Sequence, residues 1–218
     1  MDALKFVDLS WPIKATTPIY PGDPVPKIEV FTTIQSIGYN LFSVYIGSQT
    51  GTHVDAPFHF LNSGDTIDRM ELDFFFGEGL IIDVIGRSAF SKIKMYDILK
   101  YDQKIRQGGI ILFRTDWHYK HGTEDYERHP YLDIEVAEYL VSKQVKTVGV
   151  DTLNLDKTGG TEFPVHELFA RERVMVAENL RNLDKVDFQN PLIAAFPLNL
   201  EGCDGAPIRA VAIQLSHI

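Results

Sequence analysis

Cysteine is almost missing from this chain. The 218 residues contain one, Cys203, so no internal disulfide can form and nothing calls for an oxidising compartment. No apolar stretch approaches the roughly 20 residues that span a bilayer. The opening residues, Met1 to Asp8, lack the basic and apolar regions of a secretion signal. A cytoplasmic protein without a membrane partner is expected. Positive charge is in the minority, with 21 Lys and Arg against 30 Asp and Glu, and the net charge of −9 disfavours nucleic acid as a partner. Also absent are a G-x-S-x-G nucleophile elbow, a Gly-rich phosphate loop and a dinucleotide fingerprint. Cys203 lies between Glu201 and Asp204, whose carboxylates oppose formation of a thiolate, so it makes a poor nucleophile. No internal repeat, low-complexity segment or linker interrupts the chain, and 1–218 reads as one domain.

Apolar residues at 44% and charged residues at 23% suit an ordinary globular core. Short runs rich in β-branched and aromatic residues predict strands at Phe6–Leu9, Ile28–Phe31, Leu41–Ile46, Leu80–Val84, Ile110–Phe113, Thr147–Val150, Val174–Ala177 and Ala210–Leu215. The runs at 110–113 and 147–150 are continuous rather than alternating, which fits strands buried on both faces. Helix signals are fewer. Asp133 precedes an apolar stripe of Ile134, Ala137, Leu140 and Val141, a second helix is expected near Lys94–Lys100, and a third begins at Pro164. Five turn-forming residues between Pro18 and Pro26 predict an ordered loop over Thr17–Lys27. The mixture points to an α/β domain with a mixed β-sheet core and few helices.

Chemistry concentrates in the stretch from Ser48 to Phe60. Gly51 and Pro57 disfavour a helix there. In an extended chain Gln49, His53, Asp55 and His59 share one parity. At about 3.3 Å per residue, His53 and Asp55 are roughly 6.6 Å apart and can converge on one ion. Gln49 and Asp55 are roughly 20 Å apart if fully extended, so they can share a site only if the backbone bends. Gly51 is the natural bend, and a turn or bulge is predicted at Thr50–Thr52. From spacing alone, a metal cluster and ordinary hydrogen-bonded core histidines both remain open.

The segment Gly51-Thr52-His53-Val54-Asp55-Ala56-Pro57-Phe58-His59-Phe60 resembles the signature of the cyclase-like metal-dependent hydrolases, a family that takes in kynurenine formamidases, isatin hydrolases and trans-dienelactone hydrolases. The likeness runs nearly end to end. It includes Asp8-Leu9-Ser10, Ile19 to Pro24, Val148 to Leu153 with Asp156, Pro164-Val165-His166, Glu178-Asn179-Leu180, Pro197-Leu198 and Gly202 to Ala210. Phe113 to Trp117 is similar too, with Asp116 where Gly is more usual.

The resemblance implies the cyclase-like (swivelling β/β/α) fold. It implies a divalent metal, Zn or Mn, one or two ions per chain, held by His53 and Asp55 with His166 and Glu178. It implies a proton-shuttling role for His59 and a homodimer or homotetramer. The reaction implied is hydrolysis of a small amide or ester, with N-formylkynurenine as the default substrate and a lactone or isatin as the alternative. A non-catalytic relative that kept the fold is the other reading.

Gln49 stands where the family's first ligand is generally His. A neutral amide suits imidazole-seeking zinc poorly and tilts the site toward a harder ion. Trp11, Tyr20 and Phe58 are read as walls of an aromatic pocket or as plain core. Arg209 is either a substrate-carboxylate anchor or half of a structural ion pair. His118, His121 and His129 sit among polar residues and are expected on a solvated loop.

Overall fold

A computed structural model of the chain describes residues 4–215; Met1–Ala3, part of the opening stretch that lacks the marks of a secretion signal, lie outside the described residues. Nine strands form one mixed sheet. From edge to edge they are Lys5–Asp8, Val211–Gln214, Leu192–Ala194, Phe76–Asp83, Ile110–Arg114, Thr147–Val150, Met175–Glu178, His53–Asp55 and Gly205–Pro207. The four central strands from 76 to 178 pair in parallel, and the flanking ones pair antiparallel. Each of the eight expected strand segments forms a strand, with ends shifted by a few residues. Phe76–Asp83 starts earlier than expected because Gly77 and Gly79 interrupt its apolar pattern. The three-residue strands 192–194 and 205–207 were too short to show any period.

The continuous apolar runs are explained by two cores, one on each face of the sheet. Ile111, Phe113, Val148, Val150 and Val176 pack on the helix side; Ile110, Leu112, Met175 and Ala177 pack on the other. Helices Ile134–Ser142 and Pro164–Arg171 are the crossovers that follow strands 110–114 and 147–150, and both cover the first core with Val136, Leu140, Val165 and Phe169. The expected helix near residue 95 is one turn, Met95–Ile98, running on into a tighter coil over Leu99–Lys104. The second core is enclosed by the sheet itself. Val7 and Ala212 from one edge share it with Val54 and Ala206 from the other, so the sheet curls. Ser10 bridges to Leu180, and Arg181 N–H donates to Leu9 O at 3.0 Å, tying the first strand's exit to the end of strand 175–178. Among the described residues no helix is long and apolar enough to cross a membrane.

A separate hairpin, Lys27–Thr32 with Leu41–Tyr45, stands off this body. Its register sets Ile28 opposite Val44 and Val30 opposite Phe42, which makes one apolar face, and all four side chains are exposed.

Helix 164–171 both covers a core and carries a site residue, so its packing is a direct test of the architecture. Phe169 is fully buried on its inner face, while Glu167 is exposed and pairs with Arg171. Phe169→Ala is expected to lose about 3–5 kcal/mol in urea denaturation. Glu167→Ala is expected to stay within about 0.5 kcal/mol.

Candidate metal centre

Strand pairing brings the first three groups together. His53–Asp55 lies antiparallel to Met175–Glu178, with His53 opposite Glu178 and Asp55 opposite Val176. Val54 between them turns into the second core, so the period of two places His53, Asp55 and Glu178 on the opposite face. The fourth group, His166, comes from the first turn of the helix that begins at Pro164. His53 Nε2 lies 3.3 Å from Asp55 Oδ1 and 3.6 Å from Glu178 Oε2. His166 Nε2 lies 3.6 Å from Asp55 Oδ2 and 3.1 Å from Glu178 Oε1. All four side chains are buried.

Each imidazole is held from behind. His53 Nδ1 donates to Gly51 O at 2.8 Å. Gly51 has φ +70° within the predicted bend at 50–52, a backbone angle that glycine tolerates and other residues rarely adopt. His166 Nδ1 donates to Asp156 Oδ2 at 2.7 Å. Asp156 also accepts the backbone N–H of Val165 and of His166, capping a helix whose own N-cap, Phe163, has no acceptor to offer. With both Nδ1 atoms carrying protons, both Nε2 lone pairs face the two carboxylates.

Two lone pairs and two carboxylates out of water demand positive charge. Burial alone would push the two imidazolium pKa values down, yet Asp55 and Glu178 beside His53, and Asp156 and Glu178 beside His166, raise both to about 10. Burial would likewise raise the Glu178 carboxyl, but His166 and His53 hold it far below its ordinary range. Asp55 Oδ1 is buried with no hydrogen-bond donor. Donor atoms of His53, Asp55 and Glu178 all lie within 4.8 Å of one another. Imidazole nitrogens with carboxylate oxygens, pre-oriented and short of positive charge, fit a divalent cation.

The centre opens into a cavity of about 210 Å³. Tyr20, Phe60 and Phe163 give it aromatic walls, and Gln49 and His59 face it as well. His59 Nδ1 donates to Asp204 Oδ2 at 2.7 Å. Burial would lower the His59 pKa, but Asp204 raises it. Asp204 also accepts from Ser48 Oγ at 2.7 Å and Gln49 Nε2 at 2.9 Å. Burial would raise the Asp204 carboxyl, and these donors, His59 foremost, bring it well below the usual carboxylate range. A larger groove of about 520 Å³ over Glu78–Asp83 and Tyr101–Arg106 carries none of these groups.

Several sequence expectations need correction. Of the three aromatic residues, only Tyr20 lines the cavity; Phe60 and Phe163 supply the other walls. Phe58 misses because it has the opposite parity to His53 and Asp55, and the tight helical turn Pro57–His59 brings His59 and the following Phe60 to the cavity instead. Trp11 instead stacks on His121, with ring centres 4.0 Å apart and planes 9° apart. Arg209 pairs with both oxygens of Asp8 at 2.8 Å and lies outside the cavity, so the ion-pair reading holds. His118 and His129 are buried rather than solvated. His129 donates from Nδ1 to Pro130 O and accepts at Nε2 from Thr158 Oγ1, and its burial lowers its pKa. His118 sits with Asp116 and Asp151 in a second cluster of ligand-type residues. The Asp151 carboxylate there is filled by donors from Thr115, Asp116 and His118, and Arg114 clamps Asp116, so the cluster braces a turn.

No local pattern in the sequence marks Asp204 or Asp156 as a site residue. Their signal was present only as acids inside the family-like blocks. Asp23, which also faces the cavity, has its carboxyl pushed up by burial.

Raised imidazole pKa values have a measurable consequence. Folding of the metal-free protein draws stability from protonated His53 and His166; that contribution is complete below about 6.5 and is lost as pH rises toward 10. Metal must displace these protons. Uptake at pH 7 should therefore release protons and tighten as pH rises, read by calorimetry in buffers of different ionisation enthalpy.

A family model described as "Putative cyclase" matches residues 7–157. The chain is similar to the kynurenine formamidase of Bacillus anthracis, with 30% identity over 214 residues covering 97% of this chain and 98% of that protein. The kynurenine formamidase of Bacillus cytotoxicus matches with the same identity and coverage. Among solved structures, an isatin hydrolase bound to the product analogue thioisatinate superposes with a TM-score of 0.89 at 25% identity, covering 98% of this chain and 93% of that one. A potential metal-dependent hydrolase with cyclase activity superposes with a TM-score of 0.83 at 28% identity, covering 99% and 100%. The curled mixed sheet and its buried centre thus sit in a known setting: the chain belongs to the cyclase family and is a metal-dependent hydrolase.

Proposed function

We propose that this hydrolase cleaves an N-formyl aryl amine, N-formylkynurenine first, to formate and the free amine. One arrangement carries the reading: four buried donors beside an aromatic-walled cavity that His59 also faces. Full-length likeness to kynurenine formamidases supports the substrate class. His53, Asp55, His166 and Glu178 would hold the cation, and two nitrogens with two carboxylates suit zinc or manganese. When bound, such an ion polarises a carbonyl and lowers the pKa of water to about 7.

The chain's own groups do the rest. Tyr20, Phe60 and Phe163 bind the aryl ring and exclude water. Asp204 keeps the proton of His59 on Nδ1, which leaves Nε2 free as a base. The oxygen of water bonds to the formyl carbon, the C–N bond breaks, and His59 passes the proton it took from water to the departing nitrogen. A cyclic amide of the isatin type is the second reading, favoured by the likeness to isatin hydrolase.

A panel of formanilides, isatin and lactones, assayed with zinc and with manganese, tests the assignment. Formanilides are expected to give the highest kcat/KM, and absence of metal-dependent turnover across the panel overturns it. His59→Ala is expected to lower kcat by about 10²–10⁴-fold while bound metal stays unchanged.

We also propose a homo-oligomer, a dimer or tetramer, formed through the hairpin. A two-stranded hairpin is marginal by itself, and its face of Ile28, Val30, Phe42 and Val44 lacks cover from the described residues. Val30→Glu with Phe42→Glu is expected to yield a smaller species by size exclusion with light scattering. An unchanged mass would refute the hairpin interface.

A further inference from the structure

Gln49 holds a buried acceptor that the fold leaves unanswered. Its Nε2 donates to Asp204 Oδ2 at 2.9 Å. The amide cannot be turned the other way, because its oxygen would then face a carboxylate oxygen, acceptor against acceptor. The same Oδ2 takes the proton on His59 Nδ1 at 2.7 Å, and Oδ1 takes Ser48 Oγ at 2.7 Å. Asp204 is thereby supplied with donors and locks the amide. Gln49 Oε1 is left buried with no hydrogen-bond partner, on a residue that lines the same cavity as His53, His59 and His166. Burying an acceptor without a donor is costly, so the arrangement is best explained by a donor that arrives with the substrate. Beside it in the cavity, the carboxylates and Nε2 atoms of the centre are committed to a cation and the free Nε2 of His59 to the travelling proton, while Asp23 adds a further carboxyl to the lining.

We propose that Gln49 is a specificity-determining residue whose Oε1 accepts the N–H of a secondary amide substrate, with Asp204 as the positioning residue that aims it. This rests on the amide-hydrolase reading above and narrows it: compounds with N–H next to the scissile carbonyl are selected over esters and tertiary amides. A site built around a hydrogen bond rejects analogues that lack the group, because the buried partner is left unpaired.

The test compares kcat/KM for formanilide and phenyl formate in the wild type and in Gln49→Leu, with metal content and melting temperature measured on both proteins. The formanilide to phenyl formate ratio is expected to fall at least tenfold in the variant, with stoichiometric metal retained. An unchanged ratio overturns the proposal. So does loss of bound metal in the variant, which would make the oxygen a ligand of the cation instead. Should Gln49→Leu fail to fold, the wild type decides alone. Acetanilide is expected to inhibit at least tenfold more tightly than phenylacetone, its CH₂ counterpart, and equal inhibition overturns the proposal. If the wild type hydrolyses neither substrate but opens isatin or a lactone, the formamidase reading fails by itself. The inhibitor pair then still tests Gln49.

Discussion

The pairing of strand 53–55 with strand 175–178 is the constraint on which the centre depends. With His53 opposite Glu178, two imidazoles and two carboxylates share one buried space. Carboxylates taken out of water are tolerable only beside positive charge, which here is either a proton on each imidazole or a divalent cation. A slip of one residue in this register would turn His53 and Asp55 into the second core and Val54 toward the cavity. The strand is fixed from both sides, since 205–207 pairs along its other edge.

Around these groups the protein spends a second set of polar residues on orientation. Asp156 caps the helix and aims His166; the Gly51 carbonyl aims His53; Asp204 aims His59 and Gln49 together. Further out, Thr52 Oγ1 donates to Asn179 O, and Tyr126 donates to Asn179 Oδ1, so the residue after Glu178 is pinned. Asn179 itself has φ +56°. None of these contacts reaches the reacting atoms. They fix tautomers and ring planes, which is what a centre of this kind requires before a ligand arrives.

Local patterns were legible where the physical signal was local. Continuous Val, Ile, Leu and Phe at 110–113 and 147–150 announced strands buried on both faces, and the stripe after Asp133 announced a helix covering one of them. The bend at 50–52 followed from reach, because no straight strand can fold Gln49 back toward Asp55. Beyond Asp55 parity picks out His59 but not Phe60, because Pro57 starts a helical turn in which neighbouring residues both reach the cavity. His118 and His129 were misplaced because polar neighbours in sequence say little about a loop folded over a core.

By itself the sequence determined which donor types this protein owns, which of them lie on one strand face, and the family to which its motifs belong. These follow from side-chain chemistry and from the two-residue period of an extended chain. Only the tertiary structure decided that Asp204, 145 residues from His59, is its partner, that Asp156 stands behind His166, and that the oxygen of Gln49, a residue lining the cavity, is buried without a partner. The reason is physical: hydrogen bonds between residues far apart in the chain exist only once the sheet has curled and its far edges meet.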